Sequence, residues 1–296
     1  KGEPQNFPLT FLSGGTDGDI PTSWADDISA LQTAPAYYIV PLTDDQAIHA
    51  EVVAFAKDRS NNGNPTRVIL GGGTNESVMQ AITRRAQIKE PRVLIVANSG
   101  SRLMNDGTVQ ELPGYLVATM LAGIASGVSV GEAIFNHYLD LVDIDQKFTS
   151  DELDLLDEQG VVAVEYVRNR SAYVFRVTDD VTTYGYDQND PSSDPILGLQ
   201  SSGEAYDFFS AGIKEMLEKT FLGKRISTGV SSELKTAVIA YLTEEQSIGV
   251  IENFDESSIA VTVEGGNALI TVDVVPTMVM RKIQLNANFQ YETLTA

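Results

Sequence analysis

The chain has 296 residues, 43% of them hydrophobic, and this length fits about two globular domains. Its 20 basic and 41 acidic residues give a net charge of −21, which disfavours nucleic acid and anionic membrane surfaces as partners. The chain contains no cysteine, so disulfides, thiolate catalysis and sulfur-ligated metal sites are excluded.

The first half of the sequence alternates strand and helix patterns. Short apolar runs predict three strands, and each is followed by a helix pattern with an N-terminal capping residue or a proline in the first turn. Thr74, for example, is predicted to cap the second helix. Strands alternating with helices favour an α/β fold with a mostly parallel sheet covered on both faces. The predicted strands are 36–41, 67–70 and 92–97, and the predicted helices are 43–59, 74–89, 114–127 and 151–159.

Residues 160–183 form the most informative stretch, because two strand patterns meet there at a polar turn. Arg168, Arg170 and Arg176 lie around this predicted hairpin. They are candidates for anion binding, but ion pairs with an acidic neighbouring surface are the favoured interpretation. In a chain this acidic, that surface need not be its own.

The second half has a different composition and predicts a smaller α+β domain. Residues 184–202 are rich in Asp, Gly, Pro and Ser and predict a long loop. Amphipathic helices are predicted at 204–221 and 232–245, and a hairpin at 258–275. The resulting division is an α/β domain over 1–177 and an α+β domain over 178–296.

The C-terminal segment, from about 277 to 296, has alternating polarity. Apolar and polar residues alternate with a period of two, which is typical of a strand with one apolar face. Such a strand must pair with a sheet edge, in its own domain or in a neighbouring molecule. The apolar positions are Ile283, Leu285, Ala287, Phe289 and Tyr291.

Few residues suggest catalysis or metal binding. The strand-to-helix turn formed by Gly71, Gly72, Gly73 and Thr74 could hold an anion, but it lacks the residues of a phosphate-binding loop or a dinucleotide fingerprint. The two histidines, His49 and His137, lie in different predicted elements and cannot form a paired metal site. No catalytic residue, metal site or cofactor is therefore predicted.

Several stretches in order resemble the tail sheath proteins of contractile-tailed bacteriophages and related prophage-encoded particles. The resemblance covers nearly the whole chain and is carried by SGGTDG at 13–18, PGYLVATMLAGIASG at 113–127 and FTSDELDLLDEQGVVAVEYVRNRSAYVFRVTDDVTT at 148–183. It implies a subtilisin-like central domain without protease activity, followed by a C-terminal α+β domain. The segment containing Phe289 resembles the C-terminal arm of that family, whereas no N-terminal arm is recognisable.

The resemblance also implies a function and partners. Sheath subunits self-associate into stacked rings around a tail tube protein, between a baseplate and a tail terminator, and the sheath contracts to drive the tube through the host envelope. The expected location is the virion tail, assembled in the host cytoplasm, with no nucleic acid partner and no direct membrane insertion. Two alternatives remain open: an α/β enzyme that binds a phosphorylated ligand at the turn from Gly71 to Thr74, and another structural protein of the tail or baseplate.

Overall fold

The computed structural model describes residues 23–169, 172–187, 189–226 and 228–281. Within these ranges the helices are α1 (Ala25–Ala30), α2 (Gln46–Asn61), α3 (Val78–Ile88), α4 (Gly114–Ala125), α5 (Ser150–Glu158), α6 (Pro195–Gly198), α7 (Gln200–Phe221) and α8 (Val230–Ser247). The strands are β1 (Tyr38–Ile39), β2 (Arg67–Gly71), β3 (Val93–Val96), β4 (Gly100–Leu103), β5 (Val109–Leu112), β6 (Tyr138–Leu139), β7 (Asp143–Ile144), β8 (Val164–Asn169), β9 (Ala172–Val177), β10 (Ile251–Phe254), β11 (Ala260–Glu264), β12 (Asn267–Thr271) and β13 (Val274–Pro276).

A parallel sheet lies at the centre of the first half. Strands β1, β2 and β3 pair in that order, and α2 and α3 make the crossovers between them. Every residue of β2 and β3 is buried. Side chains alternate between two cores: the paired Ile69 and Leu94 pack in the core that contains α4, whereas Val68 and Leu70 pack with α2 and α3. The predicted α/β arrangement with both faces covered is confirmed for this sheet.

Outside this sheet, the paired strands are antiparallel. The sheets β5-β4-β7, β6-β9-β8, β10-β13 and β11-β12 contain only antiparallel pairs. Within the described residues, the predicted mostly parallel sheet of the first domain is therefore not confirmed: β1-β2-β3 is parallel, but most of the strand pairs are antiparallel. Consecutive strands such as β4 and β5 are joined by short turns, which only antiparallel strands allow, whereas parallel pairing requires a long crossover.

Local capping also corrects one predicted helix boundary. Thr74 does not cap α3, which begins at Val78 with Ser77 as its N-cap. The Ser77 hydroxyl accepts a hydrogen bond from the Gln80 backbone N–H, and the Gln80 side chain accepts one from the Ser77 N–H. This reciprocal capping box satisfies two otherwise unpaired donors, so the N-cap lies three residues later than predicted.

The second half has its own hydrophobic core. Helices α7 and α8 pack against β10 to β13, with Phe209, Val238 and Leu242 at the centre. The predicted long loop at 184–202 instead contains α6 and the start of α7, because Asp194 caps α6 and Pro195 occupies its first turn. Helix α5 and the β8–β9 hairpin lie where they were predicted.

Candidate functional site

The glycine-rich turn after β2 already contains an anion, the carboxylate of Glu76. The Gly73 backbone N–H donates to Glu76 Oε1 at 3.1 Å, and Arg84 donates to the same oxygen. A Cβ atom built on Gly72 would lie 2.0 Å from Glu76 Oε2, so a larger residue at position 72 would displace the carboxylate from this place. The chain itself fills the space that a phosphate would need, and the structure does not favour the phosphorylated-ligand alternative.

His49 serves a packing role in the same region. Its side chain is fully buried, and Nε2 lies 2.7 Å from the Thr43 carbonyl oxygen. Burial lowers the pKa of His49, which keeps the imidazole neutral despite that hydrogen bond. Across the described ranges, no group of three or more histidine and carboxylate residues could hold a metal ion.

The arginines of the β8–β9 hairpin differ in their surroundings. Arg176 donates to Glu165 Oε1 across the hairpin, with Nη2 at 2.5 Å, so this arginine has a partner in its own chain. Arg168 is exposed and lies opposite Tyr173, whose ring stacks on Tyr166 with centroids 4.4 Å apart. Arg170 lies outside the described residues. Contacts of these arginines with another molecule remain a prediction.

The predicted arm positions Ile283, Leu285, Ala287, Phe289 and Tyr291 also lie outside the described residues, and their role remains a prediction. The described beginning of that segment, residues 277–281, belongs to no strand or helix. It leaves β13, which pairs with β10 in a two-stranded sheet. The neighbouring sheet β11-β12 is also two-stranded, so within the described chain each of these strands has one edge without a strand partner.

A buried ionic cluster joins α7 to the parallel sheet; we call Tyr37, Arg67, Arg92 and Asp207 the Asp207 cluster. Asp207 on α7 accepts hydrogen bonds from Arg67 Nε at 3.0 Å, from Arg92 Nη1 and Nη2 at 2.7 and 2.6 Å, and from the Tyr37 hydroxyl at 2.9 Å. The Asp207 side chain is 2% exposed and that of Arg67 3%. Desolvation raises the pKa of Tyr37, so its hydroxyl remains a donor. The cluster has two guanidinium groups for one carboxylate.

A second ionic cluster holds the last described residue; we call Asp157, Asp179, Asp180 and Arg281 the Arg281 cluster. Arg281 Nη2 binds Asp179, Nη1 donates to Asp180 Oδ1 at 3.1 Å, and Asp157 Oδ1 lies 3.9 Å from Nη2. The guanidinium also lies 5.5 Å from the centre of the Tyr186 ring. Here three carboxylates face one guanidinium.

Sequence reasoning missed both clusters. Asp207 lies on the amphipathic helix α7 like any polar residue, and Arg281 is 101 residues from Asp180 in sequence. The one local signal is that Arg67 and Arg92 are charged residues at the start of apolar runs. A charged residue in such a position indicates a buried partner. That signal gives no identity for the partner.

Profiles of two phage tail sheath domains match the chain. The phage tail sheath protein central domain matches residues 22–183, and the phage tail sheath C-terminal domain matches residues 202–290. Since the first match alone covers more than half of the chain, the chain belongs to the phage tail sheath protein family. This membership confirms the resemblance to tail sheath proteins that the sequence indicates.

Relatives and solved structures agree with this assignment. The chain is 42% identical over 292 residues to a protein of Enterococcus phage phiEF24C, and 39% identical over 290 residues to the tail sheath protein of Staphylococcus phage Twort. These matches cover 99% and 98% of this chain but 50% and 49% of the relatives, so the chain spans about half the length of the curated relatives it matches.

Two solved structures share the fold. The sheath tail protein of Listeria innocua superposes with a TM-score of 0.64 at 18% identity, covering 90% of this chain and 60% of that one. The helical sheath of the anti-feeding prophage in its contracted state gives a TM-score of 0.61 at 16% identity, covering 89% of this chain and 75% of that one.

None of the described helices is both long and apolar enough to cross a membrane.

Proposed function

We propose that this chain is part of a structural subunit of a contractile phage tail sheath, which polymerises around a tail tube and contracts. The observation that carries the proposal is the match to both sheath domains, in family order and over most of the chain. The relatives are about twice as long, and what the whole subunit does is inferred from them. The expected partners are other copies, the tail tube protein, the baseplate and the tail terminator, within the virion.

We also infer a finer description of the fold. The helix-covered parallel sheet β1-β2-β3 supports a central domain of the subtilisin-like type. The separate core around Phe209, Val238 and Leu242 supports a second domain. The division into residues 1–177 and 178–296 remains part of this proposal.

Strand addition is the proposed linkage between subunits. The alternating polarity around Phe289 fits a strand that pairs with an open sheet edge, and β11-β12 and β10-β13 offer such edges. Linked in this way, subunits keep their connections while their bodies rotate between two packings. The free energy difference between the two packings would then drive contraction.

The substitution Phe289→Asp tests this linkage. A carboxylate on the apolar face of the arm would have to be buried at the junction, so lateral assembly should be lost while the monomer stays folded. The measurement is negative-stain electron microscopy of the full-length gene product, with circular dichroism of the monomer. Hollow tubes or stacked rings are expected for the parent protein and only dispersed particles for the variant.

The matched control is Asn288→Asp, which adds the same charge on the opposite face of the predicted strand. It should still form tubes. Tubes from Phe289→Asp would contradict the proposed linkage, and an absence of tubes from the parent protein, with and without tail tube as template, would contradict the sheath function.

A further inference from the structure

We propose that Arg281 is a positioning residue, which fixes the place and direction in which the C-terminal segment leaves the body of the subunit. The inference rests on the proposed function, in which that segment links neighbouring subunits. It goes beyond that function by naming the contact inside one subunit through which the link is held.

Arg281 joins parts of the chain that are distant in sequence. Asp157 comes from α5, Asp179 and Asp180 follow β9, and Tyr186 lies in the next loop. Asp180 is separated from Arg281 by 101 residues. A single side chain therefore connects the start of the C-terminal segment to α5, to the residues that follow β9 and to the next loop.

The backbone around Arg281 offers little other support. Residues 277–281 belong to no helix or strand, and the Met280 side chain is 74% exposed. Met278 is 41% exposed, and the Ser202 hydroxyl lies 4.0 Å from its sulfur. Within the described residues, the Arg281 side chain, 14% exposed, is the most extensively bound group after β13.

The carboxylates need the guanidinium. The Asp180 side chain is fully buried, and its other oxygen accepts hydrogen bonds from the Ser201 hydroxyl at 2.5 Å and the Ser201 N–H at 3.2 Å. The Asp179 side chain is 15% exposed and lies beside Asp157. The charged and titratable groups of the site are thus Asp157, Asp179, Asp180, Arg281 and the neighbouring Tyr186.

Without Arg281, the buried carboxylates would have no counter-ion. They would then be tolerated only by taking up protons or by opening of the site to water. Burial already raises the pKa of both Asp179 and Asp180 to about 6, with Arg281 opposing the increase. Loss of Arg281 should therefore destabilise the site more at alkaline pH than at mildly acidic pH.

Distance measurements between spin labels test the positioning role directly. The chain has no cysteine, so Met280→Cys and Leu155→Cys, both exposed, provide a pair of labels next to Arg281 and on α5. The labelled parent should give one narrow distance distribution by pulsed electron spin resonance. Arg281→Gln should widen that distribution about twofold near pH ~8, because the root of the segment is no longer tied to the body.

A charge-neutralised variant separates positioning from simple stability. In Arg281→Gln combined with Asp179→Asn and Asp180→Asn, the uncompensated charge is removed, so thermal stability should return towards that of the parent. The distance distribution should remain wide, because no group replaces the guanidinium. If the narrow distribution returned together with the stability, Arg281 would be a charge neutraliser only and the proposal would be wrong.

The matched control is Arg102→Gln, which removes a guanidinium from an exposed pair with Asp140. It should leave the distribution narrow. A narrow distribution in folded Arg281→Gln, or equal widening by Arg102→Gln, would overturn the proposal.

If Arg281→Gln does not fold, Arg281→Lys tests the positioning role instead. An ammonium group keeps the charge but cannot reproduce the planar fork that reaches Asp179 and Asp180 together. It should fold and still widen the distribution, and an unchanged distribution would overturn the proposal. These measurements use the chain by itself, so their result does not depend on whether tubes form. If the proposed sheath function were wrong, the result for Arg281 would still hold.

Discussion

The Asp207 and Arg281 clusters both join parts of the chain that are distant in sequence, but they carry opposite excess charge. In the Asp207 cluster two arginines share one carboxylate, whereas in the Arg281 cluster three carboxylates share one arginine. Arginine does not lose its proton at accessible pH, but a buried aspartate readily gains one. The second connection should therefore vary with pH, whereas the first should vary only through Glu204, which lies near Arg67 and Asp207 and whose pKa burial raises to about 7.

Asp207→Ala should break the first connection and have the largest effect of the single substitutions. It leaves Arg67, 3% exposed, without its carboxylate, and removal of one partner of a buried ion pair costs about 3–5 kcal/mol. Urea unfolding followed by circular dichroism measures the loss. We expect it to be smaller near pH ~8 than near pH ~5, since the arginines stay charged and ionised Glu204 then partly compensates Arg67. A loss below about 1 kcal/mol would mean that water or another group compensates the arginines.

The pH dependence of stability should reveal the second connection. Burial raises the folded-state pKa of Asp179 and Asp180 to about 6 from 3.8, so the folded chain binds more protons than the unfolded chain between these values. Their contribution to the free energy of unfolding is fully present below pH 3.8 and is lost as pH rises through about 6. We expect a decline of several kcal/mol for the pair, roughly 3 kcal/mol for each aspartate, and the two titrate as a unit.

Denaturant unfolding across this pH range checks the prediction. Asp179→Asn with Asp180→Asn should flatten the decline. Glu204 provides a separate test, because burial raises its pKa to about 7 and Glu204→Gln should flatten only the upper part of the curve. A parent protein whose stability rises between about pH 4 and pH 6 would show that the unfolded state binds more protons there, which would contradict the assignment.

The exposed pair of Arg102 and Asp140 should give the smallest effect. Their side chains are 47% and 81% exposed, and the Arg102 Nη2 to Asp140 Oδ2 distance is 2.8 Å. Arg102→Gln should change the free energy of unfolding by about 0–1 kcal/mol, and added salt should remove the difference. A loss of unfolding free energy comparable to that of Asp207→Ala would show that burial does not determine how much an ion pair contributes to stability.

The central sheet was predictable because local pattern and burial agree there. The runs of β2 and β3 are short, apolar and bounded by turns, and their fully buried positions in a parallel sheet match that pattern. Helix α5 was also predictable, since Ser150, Asp151 and Glu152 are typical of a helix start; the N-cap is Thr149 rather than Ser150, and it forms a capping box with Glu152.

Other features depend on competition or on distant partners. Thr74 is a residue type that often caps helices, but the turn beside it binds the Glu76 carboxylate through the Gly73 N–H. The helix begins only after the capping box of Ser77 and Gln80. Strands β4 and β5 are polar and largely exposed, so they lack the apolar alternation that predicts strands. The contact of Arg281 with Asp180 spans 101 residues, and no local pattern encodes it.

The carboxylate of Glu76 has a consequence for how the subunit behaves among small molecules. Nucleotides, sugar phosphates and inorganic phosphate are abundant metabolites, and a vacant glycine turn would let their concentrations influence the fold. This turn is internally neutralised by Glu76 and Arg84. The stability of this part of the subunit should therefore be independent of the metabolic state of the cell in which it is made.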